Sequence, residues 1–181
     1  MRRTDSARPH RRALAVRRPA LLLACGNTLR QDDGVGLRIA LAAEKSFPSS
    51  QLRVIAAQQL TPEMAADLAN TDLAIFVDAC VDDEPGSIRV SAVAPGAEPL
   101  QTHRLDPPAL LALAQALWGP APAQSFILTI GAGHLGYGED LSAPLRQAIP
   151  RALRLLTGLL DSFSAPASRA ASAGFCILPR R

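Results

Sequence analysis

Cysteine is scarce and scattered. Cys25, Cys80 and Cys176 are the only three in 181 residues. They are too few for a disulfide framework and wrongly spaced for a structural zinc cluster, as in a protein of a reducing compartment. Long apolar runs are missing too: none approaches the ~18 residues that span a bilayer, so no membrane span is expected. The chain contains no G-x-x-x-x-G-K-[S/T] phosphate loop, no G-x-S-x-G nucleophile turn and no H-E-x-x-H zinc motif, which removes the common signatures of nucleotide hydrolysis, serine hydrolysis and zinc proteolysis. Gly34-Val35-Gly36 begins a dinucleotide pattern, but position 39 is isoleucine, and a phosphate there would meet Asp32 and Asp33. There are no internal repeats.

Charge is unevenly spread. The formal net charge is +3, yet residues 1–18 hold Arg2, Arg3, Arg8, Arg11, Arg12, Arg17 and Arg18 against the single acid Asp5. The remainder is mildly acidic. Residues 1–18 read as a disordered, solvated basic arm, and no nucleic-acid partner is expected. The arginines before Pro19-Ala20-Leu21 have the order of an export leader. The apolar run Ala20–Cys25 that follows is shorter than the ~7–15 residues of a signal core, and it feeds directly into an acidic loop, so the expected location is the cytoplasm.

The ordered part reads as one α/β domain over residues 19–160, followed by a loose Ala/Ser/Pro-rich tail, residues 161–181. Ala20–Cys25 is a short buried strand bounded by Pro19 and Gly26. Val35–Lys45 has helical apolar spacing. Leu52–Ala56 is a second strand, and Thr61-Pro62-Glu63 has the residues of a helix start, with Thr61 as cap, for a helix running to about Ala69. Leu73–Val77 is a strand ending at Asp78. Ser87–Val93 alternates as a half-exposed strand, expected antiparallel to its predecessor because the connection is too short for a crossover. Asp106-Pro107-Pro108 opens a helix to about Leu117, Ser125–Ile130 is a strand, and a last helix runs from Ser142 to about Leu160, with a kink at Pro150. Alternating strands and helices imply a three-layer αβα sandwich, with a mainly parallel sheet of about five strands and one antiparallel edge strand.

Three polar positions follow or flank these elements at one expected sheet edge: Asp33, Asp78 and His103. Two carboxylates and an imidazole can bind a divalent transition metal and leave positions open. By spacing alone Asp32 and Asp33 are equivalent, and either could simply favour the following helix dipole. Asp78 could equally be bonded to turn amides. His134 and His10 are further candidates, and Cys25 and Cys80 read as small buried hydrophobes.

Cys25–Gly36 (CGNTLRQDDGVG), then Phe76-Val77-Asp78-Ala79, Glu84-Pro85-Gly86 and Thr102-His103 occur in order. Together they resemble the hydrogenase maturation endopeptidases, with Gln59–Glu63 and Gly136–Ser142 fitting a subgroup. The resemblance covers roughly residues 20–160. It implies that Asp33, Asp78 and His103 contact metal and carry catalysis, with Asp32 as a supporting residue. It implies a metal-dependent, aspartic-type endopeptidase that removes the C-terminal extension of a [NiFe]-hydrogenase large-subunit precursor, with nickel presented by that substrate. Relatives often carry Glu where Asp33 stands. On the same reading Gly34 and Gly36 would leave room for substrate backbone or a metal cluster. A non-catalytic nickel-site chaperone, and a small-molecule module with incidental acids, are the alternatives.

Overall fold

The computed structural model describes residues 18–96, 105–119 and 122–164. Five strands, β1 (Ala20–Cys25), β2 (Leu52–Ala57), β3 (Leu73–Cys80), β4 (Ile88–Ala92) and β5 (Gln124–Gly131), form one sheet in the order β2-β1-β3-β5-β4. All neighbours are parallel except β4, which runs antiparallel to β5 at the edge. Helices α1 (Val35–Ser46) and α4 (Ala143–Ser164) contact each other over one face of the sheet, and α2 (Met64–Leu68) and α3 (Pro107–Trp118) over the other. This is the expected three-layer arrangement. Among the described residues no helix is long and apolar enough to cross a membrane.

The layers follow from the two-residue period of the strands. Leu22 and Ala24 of β1 join Ile75 and Val77 of β3 under α1 and α4, while Leu21 and Leu23 join Ala74 and Phe76 under α2 and α3. Both faces are therefore apolar, and the central strands read as continuous hydrophobic runs, as strands covered on both sides must.

Several boundaries differ from the sequence expectation. β4 is antiparallel, but its partner is β5, which inserts between it and β3. A short connection sets direction, and it cannot show that a later strand will take the intervening place. α2 is only five residues, with a turn of i→i+3 bonds from Met64, Ala65 and Ala66 back to Thr61, Pro62 and Glu63 before it. Glu63, not Thr61, occupies the cap position, and its side chain makes no capping bond. α3 begins as its sequence implies, with the Asp106 carboxylate accepting from the Ala109 amide at 2.8 Å. α4 runs on to Ser164, with Pro150 inside it. Pro150 lies on the exposed side, where the carbonyl that loses its partner to proline can face water.

Candidate active site

The chain leaves β1 toward β2 on one side and returns to β3 on the other, so the order reverses between β1 and β3. In an open α/β sheet this is where a crevice opens beyond the carboxyl ends of the strands. The pairing shows it. β1 and β3 are in register only as far as Ala24 and Val77, whereas β3 continues beside β5 through Asp78↔Thr129 to Cys80↔Gly131. Asp78 is thus inside a strand rather than after it, at the first position where β3 has lost its β1 neighbour. Its Oδ1 accepts the Ala79 amide at 2.9 Å.

On the β1 side the chain turns sharply. Gly26 has φ +143°, and a Cβ there would lie 2.0 Å from the Asp33 carbonyl oxygen; only glycine lets the strand end and the acidic turn approach so closely. A short 3₁₀ turn, Gln31–Gly34, then leads into α1. Asp33 and Asp78 both line a cavity of about 1030 Å³ that opens between β1 and β3. Cys25, Phe76, the segment Gln58–Pro62 after β2 and Leu105–Pro107 at the start of α3 also line it. His103 lies outside the described residues, two positions before Leu105. His10 and Cys176 also lie outside them. Among the described residues, no three His, Cys, Asp or Glu side chains are gathered to hold a metal ion. Among the described residues, three carboxylates line the cavity, Asp33, Asp78 and Asp106, the last with its Oδ1 already accepting the Ala109 amide; carboxylate oxygens are the donor type that suits a divalent cation.

The two neighbouring acids part ways. Asp32 is fully buried and does not line the cavity. Its Oδ2 accepts the amides of Gly133 at 3.1 Å and His134 at 2.9 Å, and its Oδ1 accepts the Ser142 amide at 2.7 Å. Burial alone would raise its pKa, but the amides of Ser142, His134 and Gly133 outweigh burial and hold it below the usual carboxylate range. Of the other candidates, His134 contributes its backbone to Asp32 and, like Cys80, does not line the cavity. Cys25 does line it. Burial, with the Asp78 charge adding to it, pushes the Cys25 thiol up to about 11, so it is protonated at neutral pH and a poor nucleophile.

Gly36 and Gly34 serve the protein itself. A Cβ on Gly36 would fall 2.2 Å from the Cys25 carbonyl oxygen and 3.2 Å from that of Val77, and one on Gly34 would fall 2.9 Å from the Thr28 Cα. The space beside these glycines, expected to admit substrate backbone or a metal cluster, is filled by the chain's own backbone. It lets α1 start directly against the ends of β1 and β3.

No family model matches the chain, and no curated protein matches it by sequence. Solved structures do match in shape. The hydrogenase maturating endopeptidase HybD from E. coli superposes with a TM-score of 0.68 at 22% identity, covering 81% of this chain and 94% of that one. The [NiFe] hydrogenase maturation protease HycI from Thermococcus kodakarensis gives 0.61 at 21%, covering 81% and 95%. A hydrogenase 2 maturation peptidase from a Thaumarchaeota archaeon gives 0.59 at 23%, covering 80% and 99%. The chain has the hydrogenase maturation endopeptidase fold.

Within that fold one wall of the cavity has no strong signal in the sequence. Gln58–Pro62 was legible only as a helix start and as a subgroup likeness. Its Thr-Pro pair does begin a turn, but the turn's place is set by β2 ending beside β1 at Cys25↔Ala57, a pairing invisible in the local residues. Asp33, Glu63, Asp78, Asp82, Glu84, Asp106, Glu139 and Asp140 stand in the turns and loops of this edge or at its strand ends, with Arg30, Arg38, Arg146 and Arg151 bonded to carbonyls of the same loops. Arg30 and Arg38 are bonded to the carbonyls of Leu135 and Glu139.

Proposed function

We propose that this protein is an endopeptidase of hydrogenase maturation, which removes the C-terminal extension of a [NiFe]-hydrogenase large-subunit precursor after nickel insertion. The observation that carries this reading is the placement of Asp33 and Asp78 on one cavity at the switch point of this fold. Nickel belongs to the substrate. The precursor would present it, and Asp33, Asp78 and His103 would complete its coordination. An incomplete oxygen-donor set is weak toward free metal, which suits a site that engages only a metal already held by a partner. The reaction takes place in the cytoplasm on this reading and involves no nucleic acid.

The cavity's chemistry fits hydrolysis by water better than attack by a side chain. Among the described residues that line it, the one thiol, Cys25, is held protonated, and the one hydroxyl is that of Thr61, with no serine. A carboxylate within reach of water can act as general base, and a substrate-borne metal can polarise the scissile carbonyl. Purified protein mixed with nickel-loaded precursor tests this: a mass loss equal to the extension supports cleavage. Binding without mass loss favours the nickel-site chaperone instead.

A further inference from the structure

The loop from Ala132 to Ser142 contains Gly133, Gly136 and Gly138 and is largely exposed, a composition that favours movement. It is nevertheless pinned to the turn that carries Asp33. Besides the three amides on the Asp32 carboxylate, the Asp32 amide donates to the His134 carbonyl at 3.1 Å and the Gln31 amide to the Gly138 carbonyl at 2.8 Å. The Gly136 amide donates to Gln31 Oε1 at 3.1 Å. Gln31 has φ +49°, a left-handed conformation unfavourable for a residue with a side chain. Its bonds to the loop hold it there. The turn's shape is therefore imposed from the loop, and Asp33, whose amide donates to the Arg30 carbonyl at 3.1 Å inside the same turn, takes its direction from that shape.

We propose that Asp32 is a positioning residue: by clasping the Ala132–Ser142 loop to the 3₁₀ turn, it aims the adjacent Asp33 carboxylate into the cavity. The proposal rests on the reading of Asp33 as a group that engages substrate. Nothing in a purely stabilising role for Asp32 links it to Asp33; the clasp does.

Two measurements on the full chain decide it. In Asp32→Asn, hydrogen exchange at the Gly133, His134 and Ser142 amides and at the Asp33 amide should speed up at least ~10-fold, with β3 still protected. Ser142→Pro, which deletes one donor and keeps Asp32, guards against misfolding of the first variant and should give the same pattern at the remaining amides. An Asp33 amide that stays protected in both variants overturns the proposal. In processing assays, Asp33→Asn should lower kcat/KM ~100-fold or more alone but under ~10-fold in the Asp32→Asn background, because contacting residues in one network are non-additive. Equal losses in the two backgrounds would mean that Asp32 acts through stability alone and overturn the proposal. If the wild-type chain processes no precursor, the functional reading fails, and the exchange measurement still decides the clasp.

Discussion

Asp32 and Asp33 are chemically alike and adjacent, yet only Asp33 lines the cavity. Asp32 ends in three backbone amides. That separation was beyond residue spacing, because the amides that claim Asp32 come from a loop a hundred residues away. It yields different expectations for the two. Asp33→Asn and Asp78→Asn should each reduce precursor processing by ~100-fold or more while leaving the thermal midpoint nearly unchanged, since neither removes apolar packing; retained processing would exclude the residue from the site. Asp32→Asn should instead destabilise the fold, by roughly 2–3 kcal/mol, because three backbone amides lose a charged acceptor that is itself fully buried. The sign with pH follows from a lowered native-state pKa. Asp32 contributes stability above the unfolded value of ~3.9 and loses it as pH falls through the native value. The gap between wild type and Asp32→Asn in denaturant titrations should be full at pH 7 and shrink at pH 3; a gap independent of pH would contradict the assignment. Cys25 carries a simpler expectation. A thiol raised to about 11 takes no part as nucleophile, so Cys25→Ala should process within ~3-fold of wild type. Complete loss of processing would point to thiol chemistry.

Elements place these residues, and here the packing is most sensitive at the start of α1. Gly36 sits against the carbonyls of Cys25 and Val77, so Gly36→Ala must push the helix off the sheet end. We expect a loss of about 3 kcal/mol, by analogy with overpacked cores, measurable as a lowered denaturation midpoint; an unchanged midpoint would contradict the close approach. Most elements were readable from local pattern: β1 from a bounded apolar run, α3 from Asp106-Pro107-Pro108, α4 from its long amphipathic period. What was unreadable depended on contacts between elements. The strand β3 continues past Asp78 because β5 pairs with it there, β4 docks on β5 rather than on β3, and α2 shrinks to five residues although its start and its period both suggested more. The glycines of the acidic turn were correctly singled out as places of close approach. The approaching group is the protein's own backbone, which no count of glycines could reveal.

At the scale of the whole molecule, the sheet order β2-β1-β3-β5-β4 puts the reversal of strand order where the two candidate acids stand. The expectation that loops after β1 and β3 gather at one edge was topological, and alternating strands and helices sufficed to make it. The edge is acidic and opens a cavity of about 1030 Å³, room for a length of polypeptide rather than a single ion. Under the proposed function, a folded, nickel-bearing precursor docks there and is cut. Its most direct test is the intact mass of the large-subunit precursor after incubation with this protein, run with and without nickel loaded into the precursor. Loss of the C-terminal extension is expected in the nickel-loaded sample alone. An unchanged mass in both samples, or equal cleavage without nickel, would contradict it.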